Sequence, residues 1–206
     1  ILLVPSLAAL WAIWQKFALP VPPPAAPLSL VGLGALAVNL SCAFLLALTA
    51  AYAQHNAGHN GKILMIASNQ SVSKQTGWPI GVWYAELTHP YWAFSEAGYT
   101  VDIATPEGGA LFFDSFSDPE DASGYSAFDY ISLGFKKDSA RMAMTRNTKK
   151  LSDVNPADYK AIFVCGGQGP MYTFYKNPQV EKFFADFYQS GKPTAAICHG
   201  TCLLLE

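Results

Sequence analysis

Four short apolar runs do most to decide what this chain can become. Residues 63–68, 99–105, 161–165 and 194–197 are four to seven residues long and dominated by Ile, Val, Phe, Met and Ala. The run at 63–68 is continuous, without polar alternation, which suits a parallel strand covered on both faces. Helical stretches fall between the runs, at 81–97 closed by Gly98 and at 179–189 stopped by Gly191, since glycine ends helices readily. A parallel doubly wound α/β sheet follows from this alternation. Residues 114–130, polar and carrying Pro119 and Gly124, read as a surface excursion. Ligands of such sheets bind at the carboxyl ends of the strands. Cys165, Gly166 and Cys198 all fall at those ends.

Charge divides the chain. Up to Gly61 the only charged side chain is Lys16, so all 15 acids and 12 of the 13 bases lie beyond. Residues 1–53 are therefore expected to form an apolar helical hairpin suited to a membrane, 54–61 a linker, and 62–206 the α/β domain. Residues 29–53 carry no charge and are long enough to cross a bilayer with some tilt. Pro20, Pro22, Pro23, Pro24 and Pro27 separate them from a first apolar stretch. A signal-type segment ending at Ala51, Tyr52 and Ala53 is the competing reading. Both ends of the chain look cut, which suggests a fragment. The net charge of −2, without a basic run, excludes nucleic acid as a partner on electrostatic grounds.

The four cysteines, at 42, 165, 198 and 202, form no repeated CxxC pattern, so neither a zinc site nor a disulfide framework is indicated. No metal or cofactor is expected, and His55, His59 and His89 are weak ligand candidates. Cys198 is different. Ala196, Ile197, Cys198, His199 and Gly200 spell a strand, a reactive residue and a sharp turn into a helix, the layout of a nucleophile elbow. A helix N-terminus favours a thiolate, and Gly200 admits close backbone approach. Cys202, one turn on, reads as a core residue. Cys165 reads as a buried strand end, with a resolving thiol for oxidised Cys198 as the alternative.

Several dispersed motifs carry a family resemblance. Residues 195–200 around Cys198 and His199, residues 164–170 with Gly166 and Gly167, residues 85–90 with Glu86, and residues 97–106 together resemble the ThiJ/PfpI superfamily, related to class I glutamine amidotransferases. Ser117, Asp118 and Pro119, with Ser132, Leu133, Gly134 and Phe135, point to its heat-inducible chaperone branch with glyoxalase III activity. The first fifty or so residues resemble transmembrane segments of cation-diffusion-facilitator transporters, but include none of the metal ligands on which transport depends.

The superfamily resemblance implies a flavodoxin-like sheet with Glu86 facing Cys198. A carboxyl beside a thiolate should stay protonated and donate a hydrogen bond to sulfur. The backbone N–H groups of Gly167 and His199 would form an oxyanion hole, and His199 would act as general acid and base. The implied chemistry is cofactor-independent conversion of methylglyoxal to D-lactate or a related deglycation. A redox-responsive chaperone and a peptidase or amidotransferase-like hydrolase are the alternatives. The partners implied are a small aldehyde and a second copy of the chain, in the cytoplasm. Family members orient this histidine with an acid on a later strand, so His199 is expected to lack its orienting partner and the chain as it stands to be inactive.

Overall fold

Strand β1 (Lys62–Ile66) sits in the middle of the sheet because it offers no polar face. Leu64, Met65 and Ile66 are all fully buried. The computed structural model describes residues 60–205. In chain order β1 is followed by α1 (Tyr84–Glu96), β2 (Thr100–Thr105), α2 (Tyr130–Lys137), α3 (Ser139–Arg146) and β3 (Lys149–Lys150). Then come β4 (Ala161–Val164), α4 (Pro170–Thr173), α5 (Pro178–Gln189), β5 (Thr194–Ala196) and a 3-10 helix at Cys198–Leu204. The strands lie in the order β3-β2-β1-β4-β5, and every pairing is parallel. This is the expected doubly wound sheet. Its order reverses between β1 and β4, where such sheets open a crevice at their carboxyl ends.

Alternation along β1 builds two cores. Leu64 and Ile66 pack with Ile162, Val164, Val180, Phe184 and Phe187 on the α5 side. Met65 packs with Val101, Ile103, Leu87 and Phe135 on the side of α1 and α2. Side chains of successive strand residues point to opposite faces, so one strand serves both layers.

Some boundaries differ from the sequence reading. The helix expected from residue 81 begins at Tyr84, because Val82 is bridged instead to the loop before the excursion. Val82 N–H donates to the Phe112 carbonyl and Asp114 N–H to the Val82 carbonyl, both at 2.9 Å. The helix ends as expected, with Gly98 at φ 81° and Tyr99 N–H returning to the Phe94 carbonyl, a left-handed C-terminal turn. The excursion contains a 3-10 turn at Ser115–Ser117. The chain then continues into α2 and α3, which were unforeseen, as was β3. The helix expected after Cys198 is the tighter 3-10 form. The hairpin expected at 1–53, most of the linker, Cys42, His55 and His59 lie outside the described residues. Among the described residues no helix is long and apolar enough to cross a membrane.

Candidate active site

Three loops meet at the carboxyl ends of β1, β4 and β5, and each brings one part of the site. The β5 loop carries Cys198, exposed and held at φ 52°, left-handed backbone that side chains other than glycine rarely adopt. Ile197 before it is extended, at φ −125° and ψ 150°, so the chain reverses sharply at the cysteine. Gly200 makes this reversal possible. A Cβ there would lie 2.9 Å from the carbonyl oxygens of both Val164 and Cys165, closer than a side chain tolerates.

The β4 loop supplies Gly166 and Gly167. A Cβ on Gly166 would collide with the Glu86 carboxyl and come within 2.6 Å of the Cys198 Cβ. Gly166 is thus the gap across which acid and thiol meet. Gly167 has φ 85° and packs against the Gly81 carbonyl so closely that a Cβ would overlap it. Its own carbonyl accepts a hydrogen bond from His199 Nδ1 at 3.0 Å. A carbonyl can only accept, so Nδ1 carries a proton, and Nε2 makes no hydrogen bond among the described residues. The Cys198 Sγ lies 3.5 Å from the same Nδ1. The His199 ring therefore has an orienting partner, a main-chain oxygen, contrary to the expectation that it would lack one.

The loop after β1 leads to Glu86 in the first turn of α1. Its Oε2 is buried and has no partner within hydrogen-bond geometry. Burial pushes the carboxyl above the usual glutamate range. The nearby Cys198 thiol, the Gly167 and Gly166 N–H groups and His199 oppose that shift without cancelling it. An acid raised in this way, next to a sulfur, is a potential hydrogen-bond donor. Of the two backbone donors expected to hold an oxyanion, His199 N–H meets no backbone acceptor among the described residues, and Gly167 N–H lies beside Glu86.

The other thiols are core residues. Cys165 is fully buried, and burial above all pushes its thiol well up, which suits a packing role rather than a resolving one. Cys202 is buried and donates to the Pro170 carbonyl at 3.7 Å. His89 is tied to Asp129 at 2.8 Å, and no cluster of three metal-ligating side chains occurs among the described residues. One residue escaped the sequence reading as a structural actor: Ser117, whose Oγ accepts from Tyr84 N–H at 2.9 Å. The available signal was negative, for Trp83 at the head of α1 has no side-chain oxygen with which to cap it.

A doubly wound parallel sheet with a cysteine on a strained strand-to-helix turn, a histidine beside it and a buried carboxyl across from it defines a class of cysteine-elbow α/β proteins. Residues 81–206 match the DJ-1/PfpI family, and the chain belongs to that family. Among curated proteins it is 32% identical over 142 residues to the probable glutathione-independent glyoxalase hsp3103 of Schizosaccharomyces pombe, covering 60% of this chain and 54% of that one. It is 26% identical to glyoxalase 3 of Candida albicans, covering 68% and 58%. Among solved structures, Rapid Encystment Protein 24 kDa of Francisella tularensis superposes with a TM-score of 0.61 at 29% identity, over 70% of this chain and 61% of that one. The Candida albicans glyoxalase III structure gives 0.54 at 25% identity, over 71% and 60%. The chain spans a little over half the length of the curated relatives it matches.

Proposed function

We propose that this chain carries the catalytic centre of a glyoxalase III-type hydratase, which converts methylglyoxal and water to D-lactate without glutathione. The observation that supports this most is the joining of three groups at one strand end: an exposed cysteine, a histidine with one ring nitrogen anchored and the other free, and a buried carboxyl above its ordinary range.

In this reading the Cys198 sulfur adds to the aldehyde carbon, forming a C–S bond and a hemithioacetal. The Gly167 and His199 N–H groups are assigned to hold the oxygen where charge develops. His199 Nε2 removes the proton from the former aldehyde carbon, and a proton returns to the neighbouring carbon. The first carbon is thereby oxidised to a thioester while the ketone is reduced to an alcohol. Water cleaves the thioester, releasing lactate and restoring the thiol. Glu86, protonated, donates to the sulfur and supports the charge that develops there. The same reading includes a homodimer, which sedimentation would test.

The test is consumption of methylglyoxal without glutathione by the wild-type chain and by Cys198→Ala. Turnover by the wild type, lost in the variant, supports the proposal, and a wild type without turnover overturns it for this chain and bears out the inactivity expected from the sequence. Undiminished turnover in Cys198→Ala overturns the proposal, and peptidase activity dependent on Cys198 would replace it with a hydrolase.

A further inference from the structure

Helix α1 begins without a cap of its own, and this matters because Glu86 is its third residue. Trp83 occupies the capping position with extended backbone, φ −73° and ψ 123°, and makes no side-chain cap. The first N–H groups of a helix have no partner inside it, and a buried one left open is costly. Tyr84 is buried. Its N–H is met from 33 residues away by Ser117 Oγ at 2.9 Å, a buried bond.

Ser117 is set up for this task. It is 1% exposed, and its hydroxyl hydrogen is committed to the Asp114 carbonyl at 2.7 Å, which leaves a lone pair for Tyr84. The pairing of Val82 with Phe112 and Asp114 brings the two loops alongside each other. Asp118, the next residue, is gripped by Lys136 Nζ at 2.6 Å to both carboxylate oxygens, which ties the excursion to α2.

We propose that Ser117 is a positioning residue for Glu86: by capping α1 from the excursion it holds the first turn of the helix so that the carboxyl meets Cys198 across Gly166. The Glu86 carboxyl lies against Gly166, where an added Cβ would meet both it and the Cys198 Cβ. A first turn released from its cap would move the carboxyl off the sulfur. The inference rests on the reading that Glu86 supports charge on Cys198.

The test is the rate of Cys198 alkylation by iodoacetamide at neutral pH, read at that residue by peptide mass mapping of the full chain. Thermal melting is recorded alongside. Glu86→Leu, which removes the carboxyl at similar volume, should slow the reaction about fivefold, the effect of losing a hydrogen bond to a charged sulfur, partly offset by changed nucleophilicity. Ser117→Ala should slow it in the same direction, by about threefold or more, and Ser117→Thr should restore it to within about twofold. If Ser117→Ala does not fold, Ser117→Thr against Ser117→Val isolates the hydroxyl at constant shape. A hydroxyl-free variant that melts lower but alkylates at the wild-type rate, while Glu86→Leu is slow, overturns the role of Ser117 and leaves Glu86 standing. A wild-type rate in Glu86→Leu overturns both.

Discussion

The turn at Cys198 stores strain, and that strain can be measured apart from chemistry. Cys198 stands at φ 52°, where a Cβ crowds the neighbouring carbonyl at a cost of about 1–2 kcal/mol. Cys198→Ala keeps the Cβ and removes the sulfur; Cys198→Gly removes both. The difference between these variants reports the Cβ alone, because the exposed side chain contributes little burial. Glycine relieves the strain but gives the unfolded chain extra freedom, which returns about 0.4–1 kcal/mol to the unfolded side. The net expectation is about 1 kcal/mol in favour of Cys198→Gly, or about 2–4 °C in melting temperature for a domain of this size. Thermal or urea melts of the two variants, run in parallel, provide the measurement. At an ordinary exposed position Ala is the more stable partner, so the expected sign is the reverse of the usual one. A Cys198→Ala protein that melts with or above Cys198→Gly would falsify the claim that this turn is strained.

Two more outcomes follow from the site. Glu86 titrates above the ordinary value of 4.5 in the folded chain, so its contribution to stability is fully present below that value and is lost as pH rises through the folded one. Glu86→Gln should therefore melt higher than wild type near pH 7.5, with the gap closing toward pH 4.5; a gap that is constant or widens on acidification contradicts the raised carboxyl. Iodoacetamide should label Cys198 in the native protein but reach Cys165 and Cys202 only after unfolding, because both are buried with thiols raised chiefly by burial. Native labelling of Cys165 at a rate near that of Cys198 would restore it as a redox partner.

Much of the architecture could be read from the sequence because β1 is buried on both faces from Ile63 onward and its neighbours β2 and β4 are mostly apolar. β2, β4 and β5 fall inside the apolar runs, and β1 does so from Ile63 onward, with only Lys62 outside. β3 was invisible for the opposite reason, since Lys149 and Lys150 pair with Ala104 and Thr105 while their side chains stay exposed. The start of α1 was misplaced because the residues that pull Val82 out of the helix, Phe112 and Asp114, are about thirty positions away. In the site, Cys198, His199, Glu86 and the double glycine were legible from turn-forming residues and family motifs, and the structure brings them together. What residue types could not show is a contact made by the main chain or by a remote side chain. The Gly167 carbonyl on His199 and the Ser117 hydroxyl on Tyr84 are of these two kinds.

The first of these has a genetic consequence. A carboxylate that orients a histidine can be erased by one codon change or silenced by acid, whereas the carbonyl of Gly167 belongs to every residue type that could stand there and does not titrate. Substitution at that position can displace the acceptor but never delete it. In a saturation scan, side-chain loss at His199 would register directly. At residue 167 the scan would register only the backbone conformation that glycine permits, so the partner that aims the imidazole would leave no signature of its own chemistry.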